Sequence, residues 1–200
     1  MLIRSLLLGA ACCAALVLPA FAADWPAVGA ALGKTGTVQG DVYRVGLPRS
    51  DLKVTLDGIA IKPSLALGSW VAFHDMGGRT MVMGDLVLTH EEVNPVMSVL
   101  IDNGLSITAL HNHLLRSSPA TMYMHIDGQG DAVKLATAIH AALAKSATPM
   151  GPAPAAAAPA PLDMDVAAVE RGIGGYKGAP NGGVLQFSIP RAEEPKAGGM

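Results

Sequence analysis

The chain has 200 residues, half of them apolar and 15% charged, with a formal net charge of −2. This is enough apolar content to bury one core of ordinary size, which excludes disorder for most of the length. The near-neutral balance excludes the basic footprint of a nucleic-acid binder, and aromatic residues at 4% leave little for a base-stacking or sugar-binding platform.

Residues 1–23 have the pattern of a secretory signal peptide. Arg4 gives the basic start, Leu6 to Leu18 the apolar stretch, and Ala20-Phe21-Ala22 a small-x-small site with cleavage after Ala22 or Ala23. The expectation is a secreted, periplasmic protein. No later segment has 18 unbroken apolar residues, so no transmembrane anchor is expected in the mature chain. Cys12 and Cys13 both fall in the leader, which leaves no disulfide or thiolate chemistry after cleavage. A lipid-anchored start at Cys12, behind Gly9-Ala10-Ala11, is the alternative; it lacks the usual leucine three residues before the cysteine.

Along the mature chain, Asp24 and Pro26 open a short helix that Gly33 closes. Val42 to Leu47 alternates as a strand. Leu52 to Leu56 and Ile59 to Ile61 form a hairpin across Asp57-Gly58, and Ser69 to His74 pairs with Thr80 to Leu88 across Gly77-Gly78. Thr89 and Glu92 make a capping box for a helix with Val93, Val96, Met97 and Leu100 on one face, ending at Gly104. Pro95 in its second turn is expected to bend or shorten that helix. A strand over Leu105 to Leu114, a turn around Ser117-Ser118-Pro119, a strand over Thr121 to Asp127 and a helix capped by Asp131 complete the module. This order predicts an α+β fold, a mainly antiparallel sheet with helices packed on one face.

Residues 24–146 form the complete module, and 147–162 are an Ala/Pro-rich linker with neither charge nor hydrophobic periodicity. Beyond the linker the opening of the module recurs. Asp24-Trp25-Pro26-Ala27-Val28 through Leu47-Pro48-Arg49 corresponds to Asp165-Val166-Ala167-Ala168-Val169 through Ile189-Pro190-Arg191. Residues 163–200 therefore read as a truncated second copy of the module start.

Candidate chemistry concentrates in Leu110-His111-Asn112-His113-Leu114 and Tyr123-Met124-His125. Residues two apart in a strand share a face, so His111 and His113 can hold one ion. With an odd connection to the next strand, His111 lies opposite His125 and His113 opposite Tyr123; with an even one, His125 turns away to the face of Asn112. The competing reading makes these histidines polar residues at the end of a strand whose Ile107 and Ala109 face the core. Asp85 interrupts an apolar run and needs a partner, which a histidine can be; the alternative is a turn or bulge at Gly84 with the carboxylate in water. Met81, Met83, Met122 and Met124 form Met-x-Met pairs that suit cuprous ion or, alternatively, core packing. Arg49 and Arg116 are candidates for an anion beside the histidines. No serine sits in a Gly-x-Ser-x-Gly context, and no Gly-rich phosphate loop follows a strand.

Met83-Gly84-Asp85-Leu86-Val87-Leu88-Thr89, Glu92-Val93-Asn94-Pro95-Val96-Met97 and Thr108-Ala109-Leu110-His111-Asn112-His113-Leu114-Leu115 resemble the LppY/LpqO family of bacterial secreted proteins. Pro48-Arg49-Ser50-Asp51-Leu52 and Tyr123-Met124-His125 extend the resemblance. It implies a secreted protein of unknown activity, sometimes a lipoprotein, built from two copies of the module. The family pattern falls on Asp85, Asn94, His111, Asn112, His113 and His125.

The leading expectation is a binding module in which His111, His113 and His125 hold zinc, copper or a small anionic ligand, supported by Asp85, Asn94, Asn112 and Tyr123. A metal-dependent hydrolase using the same histidines is the second reading, although neither Glu91 nor Glu92 stands out as its base. An envelope protein that forms a homodimer through its incomplete second module is the third.

Overall fold

A computed structural model of the protein describes residues 23–151 and 162–193. Residues 1–22 of the leader expected at 1–23, with Cys12 and Cys13, and most of the expected 147–162 linker lie outside the described residues.

Helix α1 (Trp25–Leu32) begins where the Asp24 carboxylate accepts the Ala27 N–H at 3.0 Å and stops at Gly33, whose φ of 80° a side chain would resist. Strands β1 (Thr37–Gln39) and β2 (Val42–Pro48) pair antiparallel. The hairpin β3 (Thr55–Leu56) and β4 (Ile59–Ala60) turns through Asp57 and Gly58, both at positive φ as a two-residue turn of this hand requires. A one-turn helix α2 (Pro63–Ala66) that the sequence pattern does not announce leads into β5 (Gly68–Asp75), which pairs with β6 (Thr80–Thr89).

Helix α3 (His90–Asp102) carries the expected capping box between Thr89 and Glu92. Pro95 neither shortens nor divides it: the helix runs on as one element of 13 residues. A second-turn proline removes only one ladder bond, and Val93, Val96 and Leu100 hold the helix through burial. Strand β7 (Ser106–His111) stops three residues short of the expected end, β8 (Ser117–Ser118) stands where a turn was expected, and β9 (Thr121–Gly130) is longer than expected. Asp131 caps α4 (Ala132–Leu143) through the Lys134 N–H at 2.9 Å. Past the linker come α5 (Val166–Gly172) and the hairpin β10 (Ala179–Asn181) and β11 (Val184–Gln186).

Six strands form one antiparallel sheet in the order β1-β2-β5-β6-β9-β7. The α+β expectation therefore holds. Helices α1, α3 and α4 cover one face, burying Val28, Leu32, Val96, Leu100, Leu135 and Ile139 against Val45, Phe73, Val82, Leu86 and Ile126 of the sheet. At about 1.5–3 kcal/mol for each fully buried large apolar side chain, this layer is the main source of stability. The other face is covered at one end only. There β3, β4 and β8 make a small sheet, and Val54, Leu67, Val87 and Tyr123 form a second, minor core beneath it. No described helix is long and apolar enough to cross a membrane.

Candidate functional site

The site lies on the open part of that second face. Along β6, Val82, Leu86 and Leu88 point to the helices, so Met81, Met83, Asp85 and Val87 point away. Asp85 stands opposite His125 of β9, and Val87 opposite Tyr123. Both registers of β6 run without interruption through Gly84, so no bulge explains Asp85, and its carboxylate is set into a regular strand. Gly84 is required for another reason: a Cβ there would stand 2.9 Å from the Trp70 carbonyl oxygen and 3.0 Å from Ile126 Cγ1.

A single backbone irregularity brings His111 to this face. Ile107 pairs with Ile126 on the helix side, whereas Ala109 pairs with His125, because Thr108 is an extra residue bulged out of β7. In a regular strand Ile107, Ala109 and His111 would share one face, and His111 would enter the core beside Ile107. The bulge re-aims everything after it. The alternative in which Ile107 and Ala109 both face the core is thereby corrected. The odd connection of residues 112–122 keeps His125 on the shared face, but the pairing is shifted by one step. His111 lies opposite Tyr123, not His125, and reaches His125 along the diagonal.

The two imidazoles meet nitrogen to nitrogen, His111 Nε2 to His125 Nε2, at 3.1 Å. Asp85 Oδ2 lies 3.7 Å from the same His125 nitrogen, and Asp85 Oδ1 is buried with no hydrogen-bond partner among the described residues. His113, beyond the end of β7, does not join the pair through its nitrogens. Its ring stacks on Tyr123 with centroids 3.8 Å apart and planes within 7°, and lies 4.9 Å from the His111 ring.

Tyr123 is the floor of the cluster. Its hydroxyl donates to the Ala66 carbonyl at 2.8 Å. Burial pushes the phenol pKa up, the nearby Asp85 charge pushes the same way, and the opposing hydrogen bond with Thr121 does not cancel them. Both effects favour the neutral phenol, whose hydroxyl is turned to the Ala66 carbonyl. Asn112 is exposed in the turn after β7. Asn94 is exposed on α3, which packs on the opposite side of the sheet, so the fold does not bring Asn94 to the histidines.

Other expectations need correction. The four methionines do not converge: Met81 and Met83 share the face of Asp85, while Met122 and Met124 pack into the helix-side core. Neither candidate anion-binding arginine is free. Arg49 is fully buried, donating to Asp51, Glu92 and the Val87 carbonyl at 2.7 to 3.3 Å. Arg116 pairs with Asp57 at the surface. Trp70, opposite Asp85 on β5 with the Arg44 guanidinium 5.0 Å from its ring centre, borders the site and was missed. The alternation of Trp70 with Val71 and Phe73 was the available signal.

Among the described residues, no group of three or more His, Cys, Asp or Glu side chains is gathered as a complete cation site. The sheet brings together a pair of imidazoles with a carboxylate one step out. Two clefts, of about 510 and 900 Å³, lie on the helix side of the molecule and contain none of these residues.

Comparison of the chain with curated proteins and with solved structures finds no match. The profile of a family described as "Domain of Unknown Function (DUF1259)" matches residues 26–145, 120 of the 200 residues, from α1 to the end of α4 with every residue of the cluster inside it, and the chain belongs to that family.

Proposed function

We propose that the protein is an exported binding module that takes one divalent transition-metal ion between His111 and His125, with Asp85 as the adjoining carboxylate. The observation that carries this reading is the 3.1 Å approach of two Nε2 atoms. With metal-to-nitrogen bonds of about 2.0–2.1 Å at a tetrahedral angle, two imidazole ligands stand roughly 3.3 Å apart. Asp85 supports it, because a carboxylate oxygen buried without a donor is costly, and a cation at the histidine pair removes that cost. The same carboxylate disfavours the anionic-ligand reading. His113 is exposed next to His111, so one rotation off Tyr123 adds a donor. Zinc and copper are the metals that imidazole with a carboxylate suits best in an exported protein. Glu92, one of the acids weighed as a hydrolytic base, is engaged by Arg49 on the other side of the sheet, so binding is favoured over turnover.

We also read residues 163–200 as the start of a second module. Asp165 caps α5 through the Ala168 N–H as Asp24 caps α1, a hairpin comes next in both, and Arg191 pairs with Glu193 as Arg49 pairs with Asp51.

The test is titration of untagged, chelator-treated protein with zinc and with copper, read by calorimetry and by elemental analysis after dialysis. We expect one metal ion per chain and loss of binding by at least about tenfold in His111→Ala and in His125→Ala. Absence of metal uptake returns the histidine contact to a plain hydrogen bond and ends this reading.

A further inference from the structure

A different part of the molecule points to how the chain is matured. Ala23 is the first described residue, and its position is set from both sides. Its carbonyl accepts the Trp25 N–H at 3.1 Å, and its own N–H donates to Asp75 Oδ2 at 3.0 Å. The chain immediately after Ala23 cannot shift, because Asp24 caps α1, Trp25 stacks on Tyr43 with ring centres 5.3 Å apart, and Val28 and Leu32 are fully buried. The receiving carboxylate is fixed too. Asp75 ends β5 at the turn of the hairpin, and its other oxygen accepts the Gly77 N–H at 3.0 Å. A contact between residues 52 apart in sequence is thus made by the first residue after the small-x-small segment Ala20-Phe21-Ala22.

We propose that Ala23 is the first residue of the exported chain and that Asp75 is the docking site for its α-ammonium group. Hydrolysis of the Ala22–Ala23 peptide consumes one water, leaves a carboxylate on the departing Ala22 and makes the Ala23 nitrogen an ammonium at neutral pH. The neutral N–H donor to Asp75 becomes a charged one, and a charge-assisted hydrogen bond is roughly twice as strong as a neutral one. Processing therefore strengthens a contact that the fold already holds. The other expected cut, after Ala23, does the reverse. It removes the donor to Asp75 and places a positive charge on Asp24, at the helix end where a cation is unfavourable. The carboxyl of Asp75 is held below the usual range, first by the Ala23 N–H and then by the Gly77 N–H, which keeps it ionised for this role.

The experiment has two readouts on the exported protein. N-terminal sequencing with intact mass should give Ala23-Asp24-Trp25; a start at Asp24, at Phe21 or at a lipidated Cys12 overturns the assignment. The α-amine, reductively methylated with carbon-13 and titrated by NMR, should have a pKa at least about 0.5 above the ordinary 7.7–8.0, and Asp75→Asn should return it to that range. Asp75→Asn keeps the side-chain oxygen that Gly77 uses, so it is expected to fold; high salt, which needs no variant, should lower the wild-type value in the same direction. An amine that titrates identically in both proteins, and does not respond to salt, removes Asp75 from the role.

Discussion

On the helix side of the sheet the interior is apolar, and Arg49, the one buried charge at its margin among the described residues, has every donor engaged. On the histidine side the covering is partial, and Asp85 Oδ1 is buried there with no partner among the described residues. The same strands build both faces, so the difference is one of selection at alternate positions rather than of backbone. Buried polar groups that serve only the fold are paired, because leaving one unpaired costs about 1–3 kcal/mol. An orphaned carboxylate beside two imidazoles is a cost to the fold that the proposed cation would offset.

Substitution at Arg49 separates the faces most sharply. Arg49→Met leaves Asp51 and Glu92 without their cation in a site that is fully buried on the arginine side, and breaking such a network typically costs about 3–5 kcal/mol. Urea unfolding should show that loss while the histidine cluster, across the sheet, keeps its metal affinity per folded molecule. The same network predicts an acid limb. Burial alone would raise the pKa of Glu92, but hydrogen bonds from Arg49, Ala147 N and Thr89 N and the arginine charge outweigh it and bring the carboxyl below its usual 4.5. A depressed folded value means the contribution is complete above about pH 4.5 and disappears as pH falls through the folded pKa. Glu92→Gln should therefore be less stable at neutral pH and lose less on acidification than the wild type, read as melting temperature against pH. Equal slopes would show that other carboxylates carry the acid limb.

Gly84→Ala tests the sheet between the faces. The added methyl meets the Trp70 carbonyl and Val71 Cγ1 at 2.9 Å, where one contact is backbone and cannot yield, so about 1–3 kcal/mol is expected to be lost. Because Trp70 stands opposite Asp85, the variant should also perturb the histidine face, and a weaker metal titration would show the two responses together.

The helix-side layer was legible in the sequence because it obeys period and capping rules. Asp24, Thr89 with Glu92, and Asp131 mark three helix starts by short side chains that satisfy free N–H groups, and Gly77-Gly78 marks the long hairpin. The histidine face was legible in composition but not in geometry. His111 and His125 could be named, yet their contact depends on the bulge at Thr108, an extra residue that no local pattern announces in a run of alternating side chains. The small sheet was legible only as its hairpin across Asp57-Gly58: β3 also pairs with β8 about sixty residues later, two residues at a time, and such pairing is decided by tertiary packing over Val54, Leu67 and Tyr123. Arg49 stood in plain view beside Asp51, but its burial depends on Glu92, which the fold delivers from another element. Asn94 went astray through the opposite error, since a residue within a shared motif can lie across the sheet from its neighbours in the motif.

The smallest expected effect bears most directly on function. Asp85→Asn keeps the shape of the side chain, removes the charge and supplies an amide that can donate to the His125 nitrogen now 3.7 Å from Oδ2. If the orphaned carboxylate is a cost to the fold, the variant without metal is more stable than the wild type by up to about 1 kcal/mol, a rise in melting temperature of about 2–4 °C. If Asp85 also adjoins a bound cation, the same variant binds zinc or copper about tenfold more weakly. The two changes have opposite signs, and only a carboxylate retained for a ligand produces both. A variant that loses stability while keeping metal affinity makes Asp85 an ordinary structural partner of His125, and the contrast between the two faces of the sheet then has no functional content.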